Sequence, residues 1–137
     1  CEGDPFFYGS FMYLYARLAT DYQVEVVPGV TSITTCAARA GMPLAARNER
    51  LTVLPGPLPV EELRTRIEGA ESVAIMKVGR HLNKIRTVIA ELGLTDKAAY
   101  IERASLPDEL VCPLAGAPEK APYFSMIILT KGADPWL

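Results

Sequence analysis

Histidine is nearly missing from this chain, where His81 stands alone among 137 residues. Metal chemistry built on imidazole ligands is therefore not expected. The cysteines are few and odd in number: Cys1, Cys36 and Cys112 are widely spaced and form no CxxC pair. Neither a disulfide framework nor a zinc site follows from them, and a reduced, cytoplasmic setting is the default expectation. No apolar run approaches the roughly 20 residues that a membrane span needs, and no basic start leads into an apolar stretch as in a secretory signal. Excess charge is lacking too. A net charge of -2 argues against a nucleic-acid or anionic-membrane surface. What is present is ordinary globular material, half hydrophobic and 22% charged, at the length of one domain or of two small lobes sharing a core.

The chain opens on CEGDPFFYGSF, with no methionine in front. Gly3-Asp4-Pro5 is a turn signal, since Gly tolerates positive φ and Pro fixes its own. Turns of this kind usually follow a buried strand, so the expectation is a piece of a longer protein. Over residues 10–21, FMYLYARLA reads as an apolar-rich helix with Ser10 as its N-cap. VEVVPG reads as a short buried strand stopped by Pro28-Gly29. Thr31-Ser32 can cap the next helix, ITTCAARAG, closed by Gly41.

MPLAARNER, residues 42–50, breaks the pattern and reads as a crossing between lobes. A second series follows. LTVLPG is a strand, PVEELRTRIEGA a helix with Pro59 in its first turn, SVAIMKV a strand and LNKIRTVIAELGL a helix ended by Gly93. AAYIERAS is another strand, SLPDELVCPLAGAPEKAP a proline-rich loop, and YFSMIILTKG a last strong strand. The fold class is α/β, with one strand-helix pair before the crossing and four strands with two helices after it. A single strand cannot build a sheet, which again suggests a piece of something larger.

Three turns gather the candidate chemistry: Gly3-Asp4-Pro5 with its aromatics, Pro28-Gly29-Val30-Thr31-Ser32, and Met76-Lys77-Val78-Gly79-Arg80-His81. Singly, each is an ordinary strand-to-helix turn. Together they look like the rim of a shared cleft at the carboxyl ends of strands, where open α/β sheets hold ligands. Asp4 suits an amine or a ribose, or caps the following helix. Phe6, Phe7 and Tyr8 suit a flat ligand, or fill the core. Met76 reads first as packing. His81, beside Arg80 at a helix start, reads as structural more readily than as a base. Among the scattered cations Arg47, Arg50, Arg80, Lys84, Arg86 and Arg103, some could clamp substrate carboxylates. Glu102-Arg103-Ala104-Ser105 places polar groups at a strand end once more. No nucleophile-base pair and no glycine-rich phosphate loop is present, and no GxGxxG follows a strand. The residues alone support a cleft that binds a small ligand, and they do not name a reaction.

CEGDPFFYGSF, VVPGVTSITTCAARAGMPLA, VAIMKVGRHLNKIR and YIERASLPDE occur in this order and together resemble the tetrapyrrole (corrin/porphyrin) methylase family. MKVGRHL with ERASLPDE points within it to the branch acting at C20 of precorrin-2. The resemblance implies a two-lobed tetrapyrrole methylase fold, here the end of the first lobe (1–43) and a complete second lobe with a mixed sheet (44–137). It implies S-adenosylmethionine between the lobes, leaving S-adenosylhomocysteine as product, and a homodimer. The cofactor contacts it implies are Glu2, Gly3, Asp4, Phe7, Thr31, Ser32, Met76 and Ala104. Tyr8, Arg47, Arg80 and Arg103 are the substrate candidates. The implied reaction is methyl transfer to C20 of precorrin-2, giving precorrin-3A in cobalamin (vitamin B12) biosynthesis, with no residue assignable as base. The family's upstream GxGPGDP-type loop is not in this sequence, so the chain alone is expected to be inactive. Two alternatives stay open: action on the cobalt-containing substrate, cobalt-factor II, and a non-catalytic binding module.

Overall fold

The structure is a computed structural model that describes residues 3–132. Two helices come first, α1 (Phe11–Leu18) and α2 (Ser32–Ala40). They are followed by β1 (Leu51–Pro55), α3 (Val60–Glu68), β2 (Ser72–Met76), α4 (Leu82–Glu91), β3 (Ala98–Glu102), β4 (Leu110–Pro113) and β5 (Ser125–Thr130). The strands form one mixed sheet in the order β1-β2-β5-β3-β4. β1 and β2 are parallel, whereas β5 runs antiparallel to both β2 and β3, and β4 antiparallel to β3. The carboxyl ends of β1, β2 and β3 therefore share one edge with the amino ends of β4 and β5.

Period-two alternation decides what each face of this sheet carries. Val73 and Ile75 of β2, Tyr100 of β3, and Ile127 and Leu129 of β5 pack with Leu63 and Ile67 of α3 and Ile85 and Ile89 of α4. Their neighbours Ala74, Met76, Ile101, Met126 and Ile128 face the other way and pack with Ile33 and Cys36 of α2. Because both faces are covered, β2, β3 and β5 read as continuous apolar runs rather than alternating ones. α2, α3 and α4 each bury apolar residues three or four apart, as Leu63 and Ile67 do in α3, so a single stripe meets the sheet, whereas α1 buries none.

Helix ends follow local chemistry. Thr31 caps α2 by accepting from the Thr34 N–H at 3.3 Å, and Gly41 closes that helix at φ 63°. Ser10 stands at the N-cap of α1 but makes no side-chain capping bond, and that helix is shorter than its apolar run. Pro59 sits at the N-cap of α3, one position outside the first turn where the sequence put it. None of the helices described is long and apolar enough to cross a membrane.

Two expectations need correction. Residues 24–27, read as a buried strand, form no strand, and Val27 is 73% exposed. A β-branched run becomes a strand only where a neighbour supplies the ladder, and among the described residues no strand lies beside this one. Conversely, the proline-rich loop contains β4, so among the described residues five strands rather than four follow the crossing. β4 is short, ends in Pro113 and lies exposed at the sheet's edge, the place where a proline costs no ladder bond. Its four residues are too few for a period to show.

The buried face of α2 carries a titratable group. Burial, helped by the charge of Glu109, pushes the Cys36 thiol up from about 9 to about 11. The folded protein thus holds this proton more tightly than the unfolded chain, so the stability it confers is intact below pH 9 and lost as pH rises toward 11. At pH 8 Cys36 is expected to resist iodoacetamide in the native protein and to react fully in denaturant. Peptide mapping by mass spectrometry reads this directly, and rapid native labelling of Cys36 would contradict its burial.

Candidate functional site

The first two turns are built against each other. Asp4 accepts from two backbone groups, the Phe6 N–H at 3.0 Å through Oδ1 and the Gly29 N–H at 3.1 Å through Oδ2. The second bond crosses 25 residues and joins the turns. Gly3, at φ 75°, lies with its Cβ direction 3.5 Å from the Val30 carbonyl oxygen and 3.7 Å from the Ser32 nitrogen. A Cβ on Gly29 would stand 2.2 Å from the Gly3 carbonyl oxygen, closer than any real contact allows. Asp4 and the two glycines thus lay the first turn across the start of α2. The first N–H groups of a helix have no acceptor of their own, and the helix dipole makes that end partially positive.

Beside this junction lies an apolar wall. Met76 is buried at the end of β2, and Phe7 and Ala104 pack partly buried into the same cluster, on the α2 face of the sheet. The Met76 carbonyl accepts from the Gly56 N–H at 2.7 Å. A Cβ at Gly56 would come 2.7 Å from the Lys77 carbonyl oxygen, so the exit of β1 is pressed under the exit of β2. The sequence read Pro55-Gly56 only as a strand's end. Lys77 holds its Nζ 5.5 Å from the Tyr8 ring centroid, tying the third turn to the first. Backbone strain collects here as well. Tyr8 (φ 54°), Lys77 (56°), Arg103 (46°) and Ser105 (67°) are non-glycine residues in the left-handed region, a conformation that persists where surroundings over-determine it.

The candidate cations differ in how far they are already engaged. Arg103 donates from Nη2 to Glu102 Oε2 at 3.1 Å, and its Nε lies 2.9 Å from Asp108 Oδ2. Buried Glu102 also accepts from the Tyr100 hydroxyl at 2.6 Å. Burial first, and then this bond to a carboxylate, pushes the Tyr100 phenol up, so it stays protonated. The Arg80 Nε–H donates to His81 Nε2 at 3.4 Å. Desolvation, with the charges of Lys84 and Arg80, lowers the His81 pKa, so at pH 7 the ring is neutral. Arg47 is exposed in the 42–50 crossing with its backbone also left-handed (φ 51°).

Gly3, Asp4, Phe7, Tyr8, Thr31, Ser32, Met76 and Ala104 are therefore brought to one region by contacts between segments far apart in sequence, and Arg80 and Arg103 stand at the same edge. Glu2, the remaining cofactor candidate, lies outside the described residues. One feature escaped the sequence altogether. Arg39 at the end of α2 holds both carboxylate oxygens of Glu109, with Nε at 2.9 and 2.8 Å and Nη2 at 2.7 Å. Seventy residues separate the partners, so no local pattern could reveal the pair.

The same turns lie within a family match. Residues 1–117 match the Tetrapyrrole (Corrin/Porphyrin) Methylases, and the chain belongs to that family. Among its relatives, a precorrin-2 C(20)-methyltransferase from Sinorhizobium sp is 45% identical over 134 residues, covering 97% of this chain and 55% of the relative. A cobalt-precorrin-2 C(20)-methyltransferase from Salmonella typhimurium is 32% identical, with 94% of this chain and 56% of the relative covered. The fold matches uroporphyrin-III C-methyl transferase from Thermus thermophilus complexed with S-adenyl homocysteine. That match has a TM-score of 0.66 at 26% identity, covering 94% of this chain and 63% of that one. The chain spans little more than half the length of the two methyltransferases it matches in sequence.

Proposed function

We propose that this chain provides part of an S-adenosylmethionine-dependent methyltransferase acting at C20 of precorrin-2, giving precorrin-3A and S-adenosylhomocysteine in cobalamin biosynthesis. On this reading residues 1–43 are the end of a first lobe and 44–137 a second lobe, in a cytoplasmic homodimer. The observation that carries it is the junction of the Gly3-Asp4 turn with Gly29–Ser32 in front of the wall of Phe7, Met76 and Ala104. The names of the relatives support the choice of reaction. The glycines let the two turns close on each other at the start of α2, that helix end favours a carboxylate, and a wall containing Phe and Met suits the thioether and adenine of the cofactor.

When bound, S-adenosylmethionine supplies a methyl group on a sulfonium, already a good electrophile. The chain's own residues have the tasks of binding, alignment and exclusion of water. Gly3, Asp4, Thr31 and Ser32 would hold the amino-acid and ribose portions through backbone groups, and Glu2 would extend that set. Ala104 leaves room for close approach. Tyr8, Arg47, Arg80 and Arg103 are proposed for the macrocycle and its carboxylates. Arg103 would act through its outer donors, since two of its groups are taken by Glu102 and Asp108. A cobalt-containing substrate is the second reading, and 45% against 32% identity supports the metal-free one.

Titration calorimetry with S-adenosylhomocysteine tests the proposal. Saturable binding is expected, and about tenfold weaker binding in Asp4→Ala, which loses both backbone bonds of its carboxylate. A wild-type chain that takes up no S-adenosylhomocysteine would overturn the cofactor reading.

A further inference from the structure

α2 touches the candidate site at both of its ends. Its first residues, with the Thr31 cap, meet the Gly3 turn, and its middle residues Ile33 and Cys36 pack on the face that carries Met76. Its last turn sends Arg39 to Glu109, on the segment that follows β3. Glu109 does more than pair with that cation. Its Oε2 also accepts from the Ser105 N–H at 2.5 Å, inside the loop it closes. Ser105 is one of two left-handed residues flanking Ala104, with Arg103 the other. Glu109 is the better shielded partner, its side chain 14% exposed against 53% for Arg39. The guanidinium and the Ser105 N–H both hold the Glu109 carboxyl below its usual range, so it is ionised at neutral pH. A planar fork on both oxygens fixes orientation as well as distance, which a point charge does not.

We propose that Arg39 and Glu109 form a latch between α2 and the strained 103–105 turn, positioning the Ala104 wall against the Thr31–Ser32 end of the cleft. Neither residue meets the ligand. Both act by setting the width of the cleft, with α2 as the rigid spacer between its two sides. The Arg103 backbone is held by Phe124 and Leu106, whereas left-handed Ser105, tied by Glu109, would otherwise relax toward a commoner conformation and shift Ala104 beside it. The effect on ligand binding rests on the cofactor reading, whereas the latch itself does not.

Two measurements separate these claims. In the ligand-free protein, amide hydrogen exchange of Ser105 is expected to speed up at least tenfold in Arg39→Ala and in Glu109→Gln, with Tyr100 and Ile127 in the core as protected as before. Unchanged Ser105 exchange in both variants would overturn the latch, whatever the protein binds. In the second measurement, S-adenosylhomocysteine affinity is expected to fall about tenfold in each single variant, and no further in the double variant, because the two residues act as one unit. Arg39→Lys, which keeps the charge and loses the fork, is expected to recover only part of it. Additive losses, or full affinity in the single variants, would overturn the positioning role. A wild-type protein without affinity for S-adenosylhomocysteine would count against the cofactor reading alone, and the exchange measurement would still decide the latch.

Discussion

Gly29→Ala is expected to weaken S-adenosylhomocysteine binding about a hundredfold, equivalent to about 2.7 kcal/mol. The added Cβ would lie 2.2 Å from the Gly3 carbonyl oxygen and 2.9 Å from its carbonyl carbon. Both are backbone atoms, so no side chain can swing aside, and one turn must move away from the other. That motion breaks the Gly29 N–H bond to Asp4 Oδ2 and shifts the Gly3 turn off the start of α2. Gly41→Ala is the matched control. Gly41 has φ 63°, yet nothing lies within 4 Å of its Cβ direction. That substitution strains the end of α2 by about 1–2 kcal/mol and should leave binding near wild type. Titration calorimetry on the two variants distinguishes close approach from backbone strain. Equal affinities would show that the contact between the turns does not shape the site.

The largest loss of stability is expected at Ile127. It is fully buried in β5, opposite Ile75 of β2 on one side and Tyr100 of β3 on the other. Ile127→Ala removes buried methyl groups and leaves a cavity in the middle of the sheet, where the antiparallel neighbours on either side hold the backbone and limit collapse. The expected cost is about 2–5 kcal/mol, a large part of the roughly 5–15 kcal/mol that holds a domain folded. Val27→Ala is the comparison, because the sequence reads Val27 as buried strand while the structure leaves it 73% exposed. Its expected effect is within about 0.5 kcal/mol. Urea denaturation of both variants measures the difference. A cost at Val27 comparable to that at Ile127 would mean that the 24–27 segment is packed after all.

Those two valine- and isoleucine-rich stretches show why sequence reading succeeded in one place and failed in the other. VEVV and SMIILT are both β-branched runs, and strand propensity scores them alike. Only SMIILT finds neighbours on both sides, Ile75 and Tyr100 among them. The reverse error, at β4, has the same origin. Leu110–Pro113 has a proline and too few residues for a period, and it is a strand because Tyr100 and Ile101 of β3 present a free ladder to Cys112 and Val111. Propensity is a property of a segment, whereas pairing depends on what stands beside it.

Local order was legible in the residues alone: the caps at Thr31 and Gly41, the apolar stripes of α3 and α4, the runs of β2, β3 and β5, and three turns with glycine, aspartate and small side chains. These depend on interactions within a few residues, or on periods repeated along one element. Which turns meet was decided by tertiary structure. The Asp4–Gly29 bond, the press of Gly56 beneath the β2 exit, Lys77 over Tyr8 and the Arg39–Glu109 fork each join segments between 21 and 70 residues apart. A separation of that size leaves no periodic trace. The partners come together only because β5 inserts between β2 and β3, which sets both strands parallel and brings their carboxyl ends to one edge, where α2 covers the adjoining face.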